Sequence, residues 1–479
     1  MLFGVRGRLW ERHKGVSGSL IFCERMVVSL YDYFIRKFKE ALETRKASAH
    51  RIGAELKFPL VNRDGSAASR KTIRALWRYL QDQGWEAQRD GVTGRIVGAR
   101  KRGELNDTVA SCETGYCKTE FSLAHVAHLF DLQRSVQELT EELRPFSEQH
   151  QVYFLGYGIH PVTPPSKRLL MEKARAGVFD RVFASNRSIA EQDGHDLHLF
   201  TINAASHVHV GVSLEEAIPA VNVLNGFSGA QIALTAHSNI WRGRIDPRFQ
   251  CVSEKFWDWW MPESERVGVP EEPFENLRHY VDTVKEFQPV FVKREGKPII
   301  VDDQYETFAD LYSAERAVGY ELTGQETTFT PSASDFDLHN TCYWYNARIS
   351  HYYTVENRVN DQQPPEDLIC IAALTLGLVS IAAQANEEIS SYDWELLRDM
   401  REAACRDGMN GTAGNLNAVD LAGTMLDLAH RGLTIRGLGE ERFLAPLYRR
   451  LERQTNPADM AADMLRTEGM EGLLEARRI

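Results

Sequence analysis

The chain has 479 residues, 43% of them hydrophobic and 26% charged, a composition typical of a globular protein with a large buried core. Its formal net charge is −11 without a long acidic or basic block, which argues against nucleic acid or an anionic membrane as the main partner. The seven cysteines form no CxxC pair, a pattern that favours a reducing compartment, so we expect a cytoplasmic protein.

The first 28 residues are interpreted as an N-terminal extension. They are basic, and their apolar run at 20–23 is too short for the core of a signal peptide. Met26 directly precedes a helical pattern and is an alternative start of the chain. We expect residues 29–479 to form one catalytic domain with a helical C-terminal part.

A charged strand is predicted early in this domain. Apolar residues recur at helical spacing after Ser29, a good N-cap, so an amphipathic helix comes first. Residues 51–61 then alternate, with Glu55 and Lys57 on one face and apolar side chains on the other. The alternation predicts a strand with one charged face.

Two further carboxylates follow, and the alternation of side chains along one continuous strand would place them on opposite faces. Glu113 and Glu120 can meet only if Thr114 and Gly115 introduce a turn or bulge, and we predict that turn. Apolar positions from 129 to 143 then step as a long helix, which we expect Pro145 to end.

The middle of the chain adds a polar loop and a buried strand. A buried strand at 153–159 precedes a loop with Lys167 and Arg168, which can contact phosphate or carboxylate groups or simply face solvent. Residues 201–212 follow as a strand that places His207 and His209 on one face and valines on the other. Two neighbouring imidazoles can bind a divalent metal, bind an anion, or be satisfied by hydrogen bonds inside a core.

The next segments are predicted from their apolar content. Residues 214–237 read as one largely apolar helix, and residues 241–260 as a loop, rich in Arg, Gly and Trp, that can line a pocket. Residues 368–383 are apolar but shorter than the roughly 20 residues that span a bilayer, so we predict a buried core helix there.

A third charged strand is predicted at 351–361. Glu356 and Arg358 share one face with Thr354, while the alternate positions are apolar. Each of the three charged strands could be a solvated sheet face, but together they suggest a site. Glu55, His207 and Glu356 suit Mg²⁺ or Mn²⁺, with Glu113 and Glu120 as further carboxylates and Arg358 as a fixed cation. The chain has neither a Walker motif nor a Rossmann glycine motif placed between a strand and a helix.

Five motifs at these positions resemble the glutamate–cysteine ligase family, in the branch of the plant enzymes and many bacterial carboxylate–amine ligases. The resemblance runs from about residue 51 to 445 and rests on RIGAELKF, SCETGYCKTE, YFLGYGIHP, SHVHVGV and TVENRVND. It implies an α+β fold similar to that of glutamine synthetase, with flanking helices and a curved antiparallel sheet that holds ATP and two or three divalent ions over its concave face.

The resemblance also implies a mechanism and roles for residues. ATP would phosphorylate the side-chain carboxylate of glutamate, and the amine of cysteine would attack the acyl phosphate to give γ-glutamylcysteine. The roles implied are one metal for Glu55, His207 and Glu356, a second metal for Glu113 and Glu120, phosphate for His209, and the reacting carboxylate for Arg358. The expected partners are ATP, Mg²⁺ or Mn²⁺ and amino acids, without nucleic acid or membrane.

Two departures from the family pattern keep other functions open. Lys57 stands where the family has a second glutamate, and its ammonium could replace a metal ion electrostatically or turn outward and leave Glu113 and Glu120 to bind the metal. Lys255 stands near the place of a substrate-binding arginine. We expect Lys57, Lys255, Lys167 and Arg168 to contact substrate. The same mechanism could therefore join a different carboxylate and amine in specialised metabolism. A nucleotide or metabolite sensor with a decayed metal site, and a zinc amidohydrolase, are the other classes considered.

Overall fold

A computed structural model of the protein describes residues 17–44, 50–103, 106–183, 194–262 and 264–479, with side chains described from residue 30 onward. The first helix, α1, spans Ser17–Thr44 and so begins before the predicted N-cap at Ser29. Leu30, Phe34 and Phe38 are buried on it, which confirms the predicted apolar face. Residues 1–16 of the proposed extension lie outside the described residues, and the extension itself stays a prediction.

The strands are short apart from the first. In chain order they are β1 Ile52–Asn62, β2 Glu86–Arg89, β3 Ile96–Lys101, β4 Thr108–Cys112, β5 Lys118–Ser122, β6 Val152–Phe154, β7 Ser206–Val210, β8 Ile240–Trp241, β9 Arg244–Ile245, β10 Val267–Gly268, β11 Phe291–Arg294, β12 Lys297–Val301, β13 Ala317–Glu321, β14 Glu326–Phe329, β15 Trp344–Tyr345, β16 Ala347–Ile349, β17 Val355–Asn357, β18 Thr412–Ala413 and β19 Leu416–Asn417.

Helices make up most of the rest. After α1 they are α2 Arg70–Asp82, α3 Leu129–His150, α4 Ala174–Val182, α5 Leu214–Gly226, α6 Ser228–Thr235, α7 Val252–Trp260, α8 Leu277–Lys285, α9 Phe308–Ser313, α10 Asp335–His339, α11 Cys370–Ser380, α12 Ala382–Ile389, α13 Trp394–Asp407, α14 Ala418–Arg436, α15 Ala445–Arg453 and α16 Pro457–Arg477.

One large sheet organises the molecule. Its strands run in the order β16-β17-β7-β1-β5-β4-β3-β2, β6 also pairs with β1, and every pairing is antiparallel. A separate four-stranded sheet, β11-β12-β13-β14, begins with the hairpin that β11 and β12 form. The antiparallel sheet with flanking helices confirms the predicted α+β class.

The sheet has one apolar and one polar face because its central strands alternate. Val208 and Val210 of β7 and Leu56 and Phe58 of β1 are fully buried in the main core. Helices α5 and α11 pack on the sheet, and α14 packs on α11. The opposite face of the same strands is thereby left for polar side chains.

The predicted end of the helix that starts at residue 129 was wrong. Pro145 does not end α3, which continues to His150. Proline removes only one intrahelical hydrogen bond, and the burial of Phe146 against Tyr79 and Phe154 offsets that loss.

The two long apolar segments are each divided. The first becomes α5 and α6, and the second becomes α11 and α12, because Phe227 and Ile381 leave helical backbone geometry at the junctions. Helix α11 is buried, as predicted. Among the described residues no single helix is long and apolar enough to cross a membrane. The segments 365–380 and 382–389 together have the length and apolar composition for a span, but the chain bends by 89° between them.

Candidate active site

The three charged strands predicted from the sequence lie side by side. Strand β7 pairs with β1 on one side and with β17 on the other. In this register Glu55 lies opposite His207, and Glu356 lies opposite His209. Side chains at these positions point to the same face because both strands alternate in step. The predicted convergence of the three strands is confirmed, although β7 and β17 are shorter than the predicted ranges 201–212 and 351–361.

The hairpin β4–β5 brings the other two carboxylates to this face. Glu120 lies opposite Lys57 on β1, and Glu113 follows the last residue of β4. The chain turns between them, as predicted. Gly115 is required there, since a Cβ atom would lie 2.0 Å from the carbonyl oxygen of Thr201. The hairpin therefore packs closely against the backbone of the segment that precedes β7.

Lys57 occupies the centre of the acidic group. Its side chain is 2% exposed, and its Nζ lies 3.3 Å from Glu55 Oε2, 3.4 Å from Glu113 Oε1 and 3.3 Å from Glu120 Oε2. Nζ also donates to His207 Nδ1 at 2.7 Å. Burial opposes its charge, but the three carboxylates raise the pKa of Lys57 above its usual value. The ammonium is therefore charged.

The electrostatics separate the two hairpin carboxylates. Burial opposes ionisation of Glu113, yet Lys57 and Lys118 hold its pKa well below the usual value. Burial and the neighbouring Glu55 raise the pKa of Glu120 to about 8. Burial and Lys57 lower the pKa of His207 to about 3, so its imidazole is neutral and can accept the hydrogen bond from Lys57.

Lys118 is a second buried lysine beside Lys57; burial lowers its pKa, and the neighbouring Glu113 opposes that effect. Its Nζ lies 3.1 Å from Glu113 Oε2 and donates to Asn203 Oδ1 at 2.9 Å and to the carbonyl oxygen of Phe200 at 3.1 Å. The two oxygens of Glu113 therefore face two different ammonium groups.

Two arginines hold Glu356. Arg348 donates from Nε to Glu356 Oε2 at 2.8 Å and from Nη1 to the carbonyl oxygen of Tyr343 at 2.6 Å. Arg358 donates to Glu356 Oε1. Burial raises the carboxyl pKa, but the two guanidinium groups hold the pKa of Glu356 well below its usual value. The carboxylate is therefore ionised and fixed in place.

One group of side chains on this face could hold a divalent cation. Ligand atoms of Glu55, His209 and Glu356 all lie within 4.8 Å of one another. His209 Nε2 is 3.2 Å from Glu55 Oε1, while its Nδ1 lies 2.9 Å from Thr354 Oγ1. An imidazole whose Nδ1 is held by a hydroxyl can offer Nε2 to a metal. The geometry thus favours His209 as a ligand, whereas His207 contacts Lys57.

All these groups line one cavity of about 370 Å³. Its lining consists of polar residues, called here the polar end, and of aromatic residues that pack on one another, called here the apolar end. The polar residues are Glu55, Lys57, Glu113, Lys118, Glu120, Lys173, Arg175, His207, His209, Arg348, Glu356 and Arg358; the aromatic ones are Phe179, Phe200, Trp257, Trp260 and Trp344. Cationic side chains outnumber carboxylates, which suits anionic substrates.

The other three predicted substrate residues lie elsewhere. Lys255 is buried on α7 in ion pairs with Asp258 and Glu402. Lys167 pairs with Asp180 at 3.2 Å, and Arg168 is in the same 3₁₀ helix, Lys167–Leu169. Within the described ranges none of the three lines this cavity, so their predicted contact with substrate stays a prediction without support from position.

Several cavity residues were not predicted. Arg348 lies on β16, directly opposite Glu356 on β17. Strand alternation would have predicted its position if the sequence there had been recognised as two paired strands. The segment 241–260 was expected to be a loop, but it folds partly as α7, whose helical spacing turns Trp257 and Trp260 to the cavity. Lys173 and Arg175 come from the start of α4, where the sequence offered no signal.

A second group of possible metal ligands lies outside the cavity. Asp180, His195 and His198 have ligand atoms within 4.8 Å of one another. However, His198 Nδ1 accepts the backbone N–H of His195 at 2.8 Å, so its Nε2 carries the proton that it donates to Asp180 at 2.9 Å. This tautomer makes the group a hydrogen-bonded cluster.

Comparisons with known proteins agree with the resemblance seen in the motifs. The sequence model of glutamate-cysteine ligase family 2 (GCS2) matches residues 51–476. A putative glutamate–cysteine ligase 2-3 of Rubrobacter xylanophilus is 29% identical over 154 residues, 32% of this chain and 39% of that protein. A putative glutamate–cysteine ligase 2-2 of Frankia alni is 26% identical over 226 residues, 46% of each chain. The matched regions thus span less than half the length of these curated relatives.

A solved structure shows the same fold. The glutamate–cysteine ligase of Francisella tularensis, crystallised in complex with AMP, aligns with a TM-score of 0.50 over 90% of this chain and 87% of that chain, at 10% identity. At such low identity the likeness concerns the fold alone. Because the family model covers most of the sequence, the chain belongs to glutamate-cysteine ligase family 2.

Proposed function

We propose that the protein is an ATP-dependent carboxylate–amine ligase that forms an amide bond. The observation that carries this proposal is the polar end of the cavity, where strands β1, β7 and β17 and the β4–β5 hairpin direct carboxylates, imidazoles and fixed arginines to one point. Such a group can bind the phosphates of ATP and hold a carboxylate in line with them. Family membership supports the same activity.

The reaction proposed has two steps. An oxygen of the substrate carboxylate attacks the γ-phosphorus of ATP, and the bond from that phosphorus to the β,γ-bridging oxygen breaks to release ADP. The substrate amine then attacks the carbonyl carbon of the acyl phosphate, inorganic phosphate leaves, and the amine loses a proton. No covalent protein nucleophile is needed, so the protein contributes position and charge.

Cationic side chains supply that charge. Arg358 carries guanidinium N–H groups beyond the one that contacts Glu356, and these can bind the reacting carboxylate or phosphoryl oxygens. Lys173 and Arg175 also line the cavity; in the described part of the chain their hydrogen bonds go to Cys112 and to Thr341, and neither is paired with a carboxylate. They are therefore candidates to bind an anionic substrate.

A divalent cation fits the group Glu55, His209 and Glu356, whose carboxylate and imidazole donors suit Mg²⁺ or Mn²⁺. When bound there it would neutralise phosphate charge and align oxygens. Glu356 positions the site in either case, since its two arginines fix it against His209.

Glutamate and cysteine are the first substrates to test. We expect ADP release and a product of the mass of γ-glutamylcysteine when the full chain is incubated with ATP, Mg²⁺ and both amino acids. A screen of other amino-acid pairs, with ADP and product mass read together, covers the wider class. Nucleotide binding without ADP release from any pair would favour the sensor, and hydrolysis of an amide without ATP would favour the amidohydrolase.

The apolar end of the cavity favours a second candidate, a ligase of the same mechanism whose substrate carries a large apolar group. Trp257 and Trp344 stack at 5.8 Å with an angle of 24° between their planes, and Phe200 lies 4.3 Å from Trp257. A large apolar group of the substrate would cover the faces of these rings better than the small thiol of cysteine would.

Substrate competition distinguishes the two candidates. We expect a higher kcat/KM for an amine such as phenylalanine than for cysteine if the aromatic wall selects substrate, and Trp257→Ala should raise KM for that amine more than it lowers kcat. Trp259→Ala is a matched control, because Trp259 lies on the same helix but does not line the cavity. A preference for cysteine that Trp257→Ala leaves unchanged would reject the second candidate.

A further inference from the structure

The place of Lys57 bears on how many metal ions this site holds. Its Nζ is within 3.4 Å of one carboxylate oxygen on each of Glu55, Glu113 and Glu120. A Mg²⁺ ion binds such oxygens at about 2.0–2.1 Å, so it would have to occupy the same space as the ammonium. A divalent ion and Lys57 therefore exclude each other at Glu113 and Glu120.

Lys57 does not act alone at these carboxylates. Lys118 Nζ takes the other oxygen of Glu113 at 3.1 Å, and both lysine side chains are 2% exposed. Together the two ammonium groups bring two positive charges to Glu113 and Glu120. That is the charge of one divalent ion, and the two amino groups occupy the space beside Glu113 where such an ion would bind.

The remaining contacts hold the two lysines in place. Lys57 donates to the Nδ1 atom of His207, so this nitrogen is not left for a metal. Lys118 is fixed by Asn203 and by the carbonyl oxygen of Phe200. The two side chains make seven such contacts in all, and moving either one would leave a buried carboxylate without its partner, which is costly.

We propose that Lys57 and Lys118 form a resident pair of cations that replaces one divalent metal ion, so that the protein itself binds a single divalent ion at Glu55, His209 and Glu356. The proposal refines the ligase site described above and rests on it. It corrects the assignment of Glu113 and Glu120 to a second metal that family resemblance implies. The lysines would fix the carboxylates and add positive charge beside the transferring phosphoryl group without any metal exchange.

Metal stoichiometry tests the proposal without turnover. Mn²⁺ bound per chain is counted for the full chain by the loss of the free Mn²⁺ signal in electron paramagnetic resonance, with no nucleotide present. We expect one Mn²⁺ for the wild type and two for Lys57→Glu, because that substitution removes the ammonium and adds a carboxylate beside Glu113 and Glu120. Lys101→Glu, the same charge change at a half-exposed position of β3, should still bind one.

The opposite results are equally definite. A wild type that binds two Mn²⁺ or none, or a folded Lys57→Glu that binds one, would overturn the proposal. If Lys57→Glu does not fold, Lys57→Gln replaces it; we expect a second, weaker Mn²⁺ in that variant, and a count of one would overturn the idea. Absence of ADP release from every substrate pair would reject the ligase function, whereas the metal count is judged separately.

Discussion

Glu356 belongs to the proposed metal site and also pairs with two guanidinium groups, and these contacts determine the effect of losing its charge. Glu356→Gln keeps the volume of the side chain but removes the negative charge between Arg348 and Arg358. We expect ADP release to fall on the order of a hundredfold, as is common when a charge-stabilising group is lost beside a reacting phosphoryl group. Far-UV circular dichroism should show a retained fold, with a lower Tm because the buried Arg348 and the partly buried Arg358 lose their partner.

Initial rates of ADP release, compared with Glu387→Gln, check this expectation. Glu387 is exposed on α12, so its substitution should leave rate and Tm unchanged. Turnover of Glu356→Gln above about a tenth of the wild-type rate would count against its role, since the expected loss is larger.

Arg358 differs from an ordinary positive charge in its geometry. Arg358→Lys keeps the charge but replaces a planar fork with a point charge that cannot contact Glu356 and a substrate oxygen together. We expect kcat to fall by about tenfold or more, with a smaller change in KM. Arg398→Lys, at an exposed position of α13, is the control, and equal kinetics for the two variants would argue that Arg358 only balances charge.

At the level of elements, the β4–β5 hairpin depends on a close backbone approach. Gly115→Ala would place a methyl group 2.0 Å from the carbonyl oxygen of Thr201 and 2.7 Å from its carbon, so the turn that carries Glu113 must shift. We expect a loss of stability of about 1–3 kcal/mol, as for other overpacking substitutions, and slower ADP release.

Thermal unfolding of Gly115→Ala beside Gly91→Ala measures this effect. Nothing lies within 4 Å of a Cβ atom added at Gly91, and its backbone is not in the left-handed region. The Tm of Gly91→Ala should therefore equal that of the wild type. An unchanged Tm for Gly115→Ala would show that the hairpin has room to move.

At the level of the whole molecule, α1 packs against residues that are distant in the sequence, including one beside the large sheet. Phe34 is fully buried and its ring packs against Tyr280, Phe336 and Tyr353. Tyr353 lies two residues before the start of β17, so this contact supports the strand that holds Glu356. Phe34→Ala should lower stability by about 3–5 kcal/mol through the cavity it creates.

Chemical denaturation followed by tryptophan fluorescence measures the change. Asp32→Ala, an exposed position on the same helix, is the control and should stay within about 0.5 kcal/mol of the wild type. A loss below about 1 kcal/mol for Phe34→Ala would mean that α1 is dispensable for the stability of the domain.

Strand alternation alone placed much of this site. Because side chains repeat every two residues along a strand, the sequence assigned Glu55, His207 and Glu356 to polar faces and the valines of β7 to the core. The need for a turn between Glu113 and Glu120 followed from the same parity. The ends of helices were harder to predict from the sequence, because the packing around Phe146 decided whether α3 ended at Pro145.

Only the tertiary structure decided which charges meet. Strand alternation put Lys57 on the polar face. It could not show that β5 and β7 flank β1, or that three carboxylates and an imidazole surround the Lys57 ammonium. The sequence likewise gave no means to place Lys118 beside Glu113 or the tryptophans of α7 at the cavity. Alternation is a local property of one strand, whereas the partners of a buried charge are set by the order in which strands pair and by the loops that close over them.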